Sequence, residues 1–142
     1  MPISIEEAVA WAGDRKNAVL ITLRKDGRAQ SSDISYAVID GEFVISLTAT
    51  RAKTANMRRD PRIVLHITDP GSWSYTSFDA VADLGPVTTA VNDTAADQLV
   101  DYYRHVAGED HPDWDEYRAA MVSEQRQLLR VKPQSVVGQI HA

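Results

Sequence analysis

Cysteine is absent from the 142 residues. This excludes disulfides, thiolate nucleophiles and zinc sites built on sulfur, and removes any sign of an oxidising compartment. Long apolar runs are missing too, with no stretch near the roughly 18 apolar residues that a membrane-spanning helix needs. The first residues, MPISIEEAVAWAGDRKN, carry acids where a secretory leader carries bases. These absences predict a soluble, cytoplasmic protein. Positive charge is the minority sign: 15 Lys and Arg against 20 Asp and Glu leave a net charge of -5. A chain of that charge repels polyanions, so neither nucleic acid nor an anionic membrane is an expected partner.

Catalytic motifs are equally scarce. His66, His105, His111 and His141 show no HExxH or other ligand spacing. Glu109, Asp110, Asp113, Asp115 and Glu116 are dense enough to suggest calcium, but they lack the glycine-centred spacing of an EF-hand loop. No bound metal is expected. Neither a G-x-S-x-G elbow nor a phosphate-binding glycine loop occurs. Any chemistry must come from a borrowed cofactor, with the protein supplying orientation and water exclusion.

What is present is globular: 44% hydrophobic and 25% charged residues in the length of one ordinary domain, so residues 1–142 are expected to form a single unit. Ser4 with Glu7 has capping-box spacing, and Ile5, Ala8, Val9 and Ala12 follow at helical intervals up to Gly13. The runs AVLITL, AQSSDISYAVI and EFVISLT, separated by Asp26-Gly27 and Asp40-Gly41, predict a three-stranded antiparallel meander. Thr50 is placed to cap a helix that Asp60-Pro61 ends, because proline disfavours a helical conformation in the residue before it. The strands RIVLHIT and SWSYTSFDAVADLG come next. A helix from Asn92 or Asp93 to Gly108 then turns Ala96, Leu99, Val100, Tyr103 and Val106 to one side. Asp113 and Glu116 cap a further helix, and QLLRV and SVVGQI close the chain as two strands joined at Lys132 and Pro133. Six or seven short antiparallel strands with inserted helices predict a small, mainly β barrel.

One segment stands against the acidic background. RAKTANMRRDPR, residues 51–62, holds five bases and one acid, a local charge of about +4. A helix start presents unpaired N–H groups and a partial positive charge, and flanking cations turn it into a phosphate site. The plain alternative is a solvated helix face, and Arg62, beyond Pro61, reads as structural.

The order LRKDGRAQSSDISY, then TRAKTANMRRDPRIVLHI, then GSWSY, then YYRHVAGEDHPDWDEYRAAMVSEQR resembles the pyridoxamine-phosphate-oxidase-like split-barrel superfamily, in particular its branch that binds the deazaflavin coenzyme F420. The resemblance runs from about Asn17 to Gly138. It implies an antiparallel split β-barrel, a homodimer with the ring between subunits, and transfer of hydride from reduced F420 to a small electron-poor acceptor. It implies that Arg51 and Lys53 hold the cofactor phosphate, with Asn56 one turn on, and that Trp73 lies near the cofactor of the partner subunit.

Gln30 and Ser32, polar residues on one side of a strand, would meet the pyrimidine edge of such a ring, and Thr48 and Thr50 would reach the ring or the first tail atoms. For Ser31 and Asp33 an edge strand kept polar against aggregation explains the composition as well. No residue stands out as proton donor; Tyr36, Tyr75 and solvent are the candidates. Two alternatives stay open. One is an FMN-binding member of the superfamily, although its arginine-led strand motif and C-terminal Trp-Arg-Leu-like segment are not found. The other is a non-catalytic F420 carrier or storage protein.

Overall fold

The computed structural model describes residues 2–141. Seven antiparallel strands form one sheet: β1 (Asn17–Leu23), β2 (Ala29–Ser35), β3 (Ala37–Ile39), β4 (Glu42–Thr48), β5 (Arg62–Asp69), β6 (Ser74–Leu84) and β7 (Arg126–Gln139), in the order β2-β1-β5-β6-β7-β4-β3. Four α-helices, α1 (Ile5–Ala12), α2 (Ala52–Arg59), α3 (Thr94–Ala107) and α4 (Trp114–Ser123), connect and cover it.

The topology forces the sheet to curl. β2 and β3 lie at opposite edges yet are separated in sequence by Tyr36 alone. Seven strands spaced about 4.8 Å apart would hold flat edges nearly 30 Å from each other, far beyond the reach of one residue. The edges are brought together, and the result is the expected split barrel.

The expected meander is corrected at the same point. β1 and β2 pair through the Asp26-Gly27 turn and β3 and β4 through Asp40-Gly41, but β2 and β4 are not ladder neighbours. Tyr36 is the cause. Its ring is buried and packs edge-on against Phe43, and its hydroxyl donates to the Ala12 carbonyl at 2.7 Å. Ala37 is buried as well, but on the other side: Tyr36 belongs to the barrel core and Ala37 to the cluster under α3 and α4, so both sides of the chain are covered at the crossing.

Two apolar clusters share the strands. One, with Leu20, Phe43, Ile45, Leu65, Phe78 and Leu129, fills the barrel under α1. The other, with Val44, Leu99, Val100, Tyr102, Tyr117 and Leu128, seals the outer side of β4 and β7 beneath α3 and α4. Gln127, Leu128 and Leu129 are therefore buried in succession, because both sides of β7 are covered there. Tyr102 rather than Tyr103 is the more buried of the two tyrosines on α3.

The two closing strands are one. β7 runs through Pro133, and a bulge sets Asp79 opposite Ser135 and Ala80 opposite Pro133, leaving Gln134 as the extra residue. A proline without an N–H is tolerated where the ladder is already interrupted.

The helix starts follow local chemistry. Ser4, Asp93 and Asp113 accept from the N–H groups of Glu7, Ala96 and Glu116. α2 differs from its reading: Arg51, not Thr50, is the N-cap residue and offers no side-chain bond, and Thr54 Oγ1 donates to the Thr48 carbonyl instead. Asp93 also accepts from the N–H groups of Thr89 and Ala90 and from the Thr88 hydroxyl. The Thr89 and Ala96 N–H bonds, and after them that hydroxyl and the Ala90 N–H, hold its carboxyl at about 2.

A folded-state value below the unfolded one stabilises above the ordinary carboxylate pKa, and that contribution is lost as pH falls through the folded value. Asp93→Asn, which keeps a capping oxygen but cannot titrate, is expected to be less stable than wild type at pH 6. The gap should close between about pH 4 and pH 2. Denaturant midpoints across that range test this, and a gap independent of pH would refute it.

Candidate functional site

The basic segment divides once folded. Arg58 Nη1 donates to the Ala49 carbonyl at 3.0 Å, Arg59 Nη2 to the Leu23 carbonyl at 2.6 Å, and Arg62 forms a two-pronged pair with Asp60 at 3.0 and 2.7 Å. Arg62 is thus structural, as expected. Arg51 and Lys53 are left, and among the described residues neither has a carboxylate within 4.0 Å. Cations without an acidic partner at the uncapped start of α2 have charge to offer a ligand.

Both line a cavity of about 480 Å³ with Thr48, Ser46 and Arg126, walled by Tyr102, Tyr103, Tyr117 and Met121. Strand pairing explains the cluster: Thr48 lies opposite Arg126 on β4 and β7, and Ser46 opposite Leu128. Lys53 is half-buried there, and its pKa is lowered by burial first and then by the nearby charges of Arg51 and Arg126. The crowding of like charge that lowers it would be relieved by a bound anion.

The same cavity borders Asp33, Ile34 and Ser35 of β2, which also border a second cavity of about 400 Å³ with Asn17, Val19, His66 and Thr68. The two form a groove across the edge of β2, with Arg51, Lys53 and Arg126 at one end, polar and apolar side chains at the other and the Asp33 carboxylate on the shared edge. Such a shape suits an elongated ligand with an anionic tail and a flat head.

The remaining sequence-predicted residues fall into three places. Gln30 and Asn56 meet each other rather than the cavity: Asn56 Nδ2 donates to Gln30 Oε1 at 3.2 Å and to Thr22 Oγ1 at 3.1 Å, and its Oδ1 accepts from Arg59. Asn56 is buried with donors and acceptor engaged, and it pins α2 to β1 and β2. Ser32 is half-buried on the same side of β2 as Gln30 and Ile34, while Thr50 is exposed in the turn before α2 and lines neither cavity.

Trp73 lies at the β5–β6 turn, 81% exposed, with a left-handed backbone at φ 56°. Within the single chain it touches neither cavity. Beside it the ring of Tyr75 stacks on His66 with centroids 5.5 Å apart, and Val137 is 65% exposed on β7 opposite Ser77.

Of the two tyrosines named as proton donors, Tyr36 is withdrawn. Burial raises its pKa far above the ordinary value, and its proton is committed to Ala12. Two of the three cavity tyrosines are held in a similar way: Tyr117 donates to the Leu99 carbonyl at 2.9 Å, with burial pushing it up to about 12, and Tyr102 donates to the Ser35 carbonyl at 3.2 Å. Sequence reasoning missed Arg126. It lies far from the basic segment, and only the register of β4 against β7 brings it there.

Solved structures share this architecture. A conserved hypothetical protein from Mycobacterium tuberculosis superposes with a TM-score of 0.77 at 23% identity, covering 98% of this chain and 86% of its own. An F420 reductase superposes with a TM-score of 0.66 at 21% identity, covering 96% and 98%. The haem storage protein HutZ from Vibrio cholerae gives 0.67 at 15% identity, covering 98% of each. At these identities the likeness is one of fold. The sequence itself reaches further, since the family model for pyridoxamine 5'-phosphate oxidase matches residues 4–139, nearly the whole chain, and the chain belongs to that family.

Proposed function

We propose that this protein is an F420-dependent oxidoreductase that transfers hydride to a small electron-poor acceptor and works as a homodimer. The observation that carries the reading is the pair of unpartnered cations, Arg51 and Lys53, at the mouth of a cavity that continues along β2. The residues present fit a phosphate-tailed, ring-bearing cofactor: cations and the Thr48 hydroxyl for the tail, and the Asp33–Ser35 edge and Asn17 for a ring with polar rims. A bound deazaflavin supplies a ring carbon that donates hydride and reacts slowly with oxygen. The chain's part is to hold the tail by charge, orient the ring along β2 and exclude water with the aromatic wall of α3 and α4.

The dimer is proposed from the exposed side of the sheet. Trp73, Tyr75 and Val137 form an apolar strip there with His66, and a second copy laid across it would cover the strip and the open side of the half of the groove that His66 lines. Trp73 would then reach the partner's ring.

A carrier role without turnover is the second reading. It is favoured by the commitment of the Tyr36, Tyr102 and Tyr117 hydroxyls to backbone carbonyls, which leaves Tyr103 as the one cavity tyrosine whose hydroxyl donates to no group among the described residues. The deciding experiment for the cofactor is a parallel titration with oxidised F420 and with FMN, followed by ring fluorescence, alongside sedimentation at micromolar protein. Tighter binding of F420 to a dimer is expected. Preference for FMN would move the protein to the flavin-binding side of the family, and a monomer that binds as well would remove the dimer.

A further inference from the structure

On the outer side of the sheet His66, Val19 and Asp33 lie in one row across β5, β1 and β2, since Val19 pairs with His66 on one flank and with Asp33 on the other. Leu20 and Leu65, one residue along, point into the core. Val19 is thus a floor between two walls, an imidazole and a carboxylate, about 10 Å apart at two strand spacings. All three line the cavity of about 400 Å³, together with Asn17, Ser35 and Thr68.

Among these side chains His66 is the one that can donate a hydrogen bond and also give up the proton near neutral pH. Its ring is half-buried and stacks on Tyr75 with planes 26° apart. Neither of its ring nitrogens takes part in a hydrogen bond among the described residues, whereas Nδ1 of His105 and Nδ1 of His111 each meet a backbone group. Ser35 spends its hydroxyl on Asn17 Oδ1 at 3.3 Å. Tyr75 itself borders neither cavity, and Tyr103 stands at the other end of the groove with the cations. The titratable groups facing His66 are Asp33 across the cavity and Tyr75 against its ring; β1 and β6 otherwise set the neutral Val19 and Ser77 beside it.

We propose that the His66 side of this cavity, beside a ring laid along β2, is the acceptor site, that it takes a neutral conjugated ketone or aldehyde, and that His66 is the catalytic residue that protonates the acceptor oxygen. This site rests on the F420 reading and adds to it the acceptor and the proton. Hydride adds to the β-carbon of the acceptor, the C=C electron pair shifts toward the oxygen, and the His66 imidazolium gives that oxygen its proton. The enol returns to the ketone in water, the cofactor that gave up hydride releases a ring N–H proton to solvent, and solvent reprotonates His66. Asp33 sets the charge of the acceptor. Its carboxylate repels an unsaturated acid where the corresponding ketone enters.

Cyclohex-2-enone is the probe, and binding is read before turnover. With oxidised F420 no hydride is available, and the infrared carbonyl stretch of the bound enone reports the hydrogen bond to its oxygen. The stretch is expected to fall in wild type and not in His66→Phe, which keeps a flat ring against Tyr75 but has no donor. His66→Phe should bind the enone about threefold to tenfold more weakly, and F420 within about twofold of wild type. His66→Gln, whose amide donates a hydrogen bond but no proton, should recover part of the carbonyl shift. In single turnover with reduced F420 both variants should lose about a hundredfold or more in rate. The wild-type rate should fall as pH rises through the range where an imidazole titrates, and the variants should lack that fall. Asp33→Asn should bind crotonate about threefold tighter or better at low salt, with no gain for the enone.

The same carbonyl stretch in wild type and His66→Phe, no binding of the enone to wild type, or variant rates equal to wild type would overturn the assignment of His66. Should His66→Phe fail to fold, a wild-type carbonyl shift that ignores pH overturns it independently. A wild type that binds F420 but reduces no acceptor removes the proton-donor role and favours the carrier. A wild type that binds no F420 sinks the F420 reading instead, and the enone on the cofactor-free protein then decides: a carbonyl shift that His66→Phe abolishes supports the acceptor site, and an equal stretch in both refutes it.

Discussion

Replacing Lys53 by alanine is expected to weaken binding of a phosphate-tailed cofactor by about 1.5–3 kcal/mol, the range for a hydrogen bond to a charged group, while Arg58→Ala changes it by less than about 0.5 kcal/mol. Both residues belong to the same helix and the same run of positive charge. The difference lies in where they point. Arg58 is exposed and spends its guanidinium on the Ala49 carbonyl, whereas Lys53 is half-buried, lines the basic end of the groove and has no carboxylate within 4.0 Å among the described residues. A pH dependence goes with the loss. Burial and the charges of Arg51 and Arg126 set the Lys53 pKa below its usual value, and an anion binds better to the protonated amine. Affinity should therefore fall as pH rises through that lowered pKa, earlier than an ordinary lysine would allow, and Lys53→Ala should lack the fall. Fluorescence titration of both variants at several pH values and salt concentrations reads all of this. Equal, small losses in the two variants would return the segment to a solvated helix face.

The largest effect on stability is expected at Phe43. Its ring is fully buried in β4, 5.4 Å from Tyr36 and 5.1 Å from Phe78, edge-on to both. It sits where the chain has just crossed from one sheet edge to the other, so its contacts tie the crossing residue to the middle of β6. Phe43→Ala removes the ring and leaves a void that three surrounding strands cannot fill without shifting. The cost should be about 3–5 kcal/mol, a third or more of the stability of an ordinary domain. The midpoint of urea unfolding should drop with an unchanged slope. Val91→Ala, at a residue 49% exposed, serves as the control and should lie within about 0.5 kcal/mol of wild type. A loss below about 1 kcal/mol for Phe43→Ala would mean that the aromatic trio does not organise the barrel. β4 also delivers Ser46 and Thr48 to the groove, so a loosened Phe43 variant should lose cofactor affinity along with stability.

The sequence reading was strongest where structure is decided within a few residues. Ser4 and Asp113 cap the helices they were expected to cap, and Asp93 is the cap where the start was read as Asn92 or Asp93, because a side-chain oxygen and an N–H three positions on meet whatever the rest of the chain does. Asp40-Gly41 makes its two-residue turn with both residues at positive φ, the conformation those residue types tolerate best. The helical run through residues 52–59 and its end before Pro61 were equally legible.

Three things were decided only by the tertiary structure. Tyr36 looks in sequence like the middle of a strand, and it becomes the crossing between the sheet edges because its ring completes a core contributed by strands distant along the chain. Five cations that look equivalent in sequence were sorted by what faced them: two carbonyls and Asp60 took three, and an open cavity kept Arg51 and Lys53. Asn56 was turned inward to hold α2, and Arg126 was brought to the groove by the register of β7 against β4. Caps and turns depend on bonds that span a few residues, so the order of amino acids determines them directly. Strand register and the sharing of polar groups depend on which distant segments close the same core, and that exists only once the chain has folded.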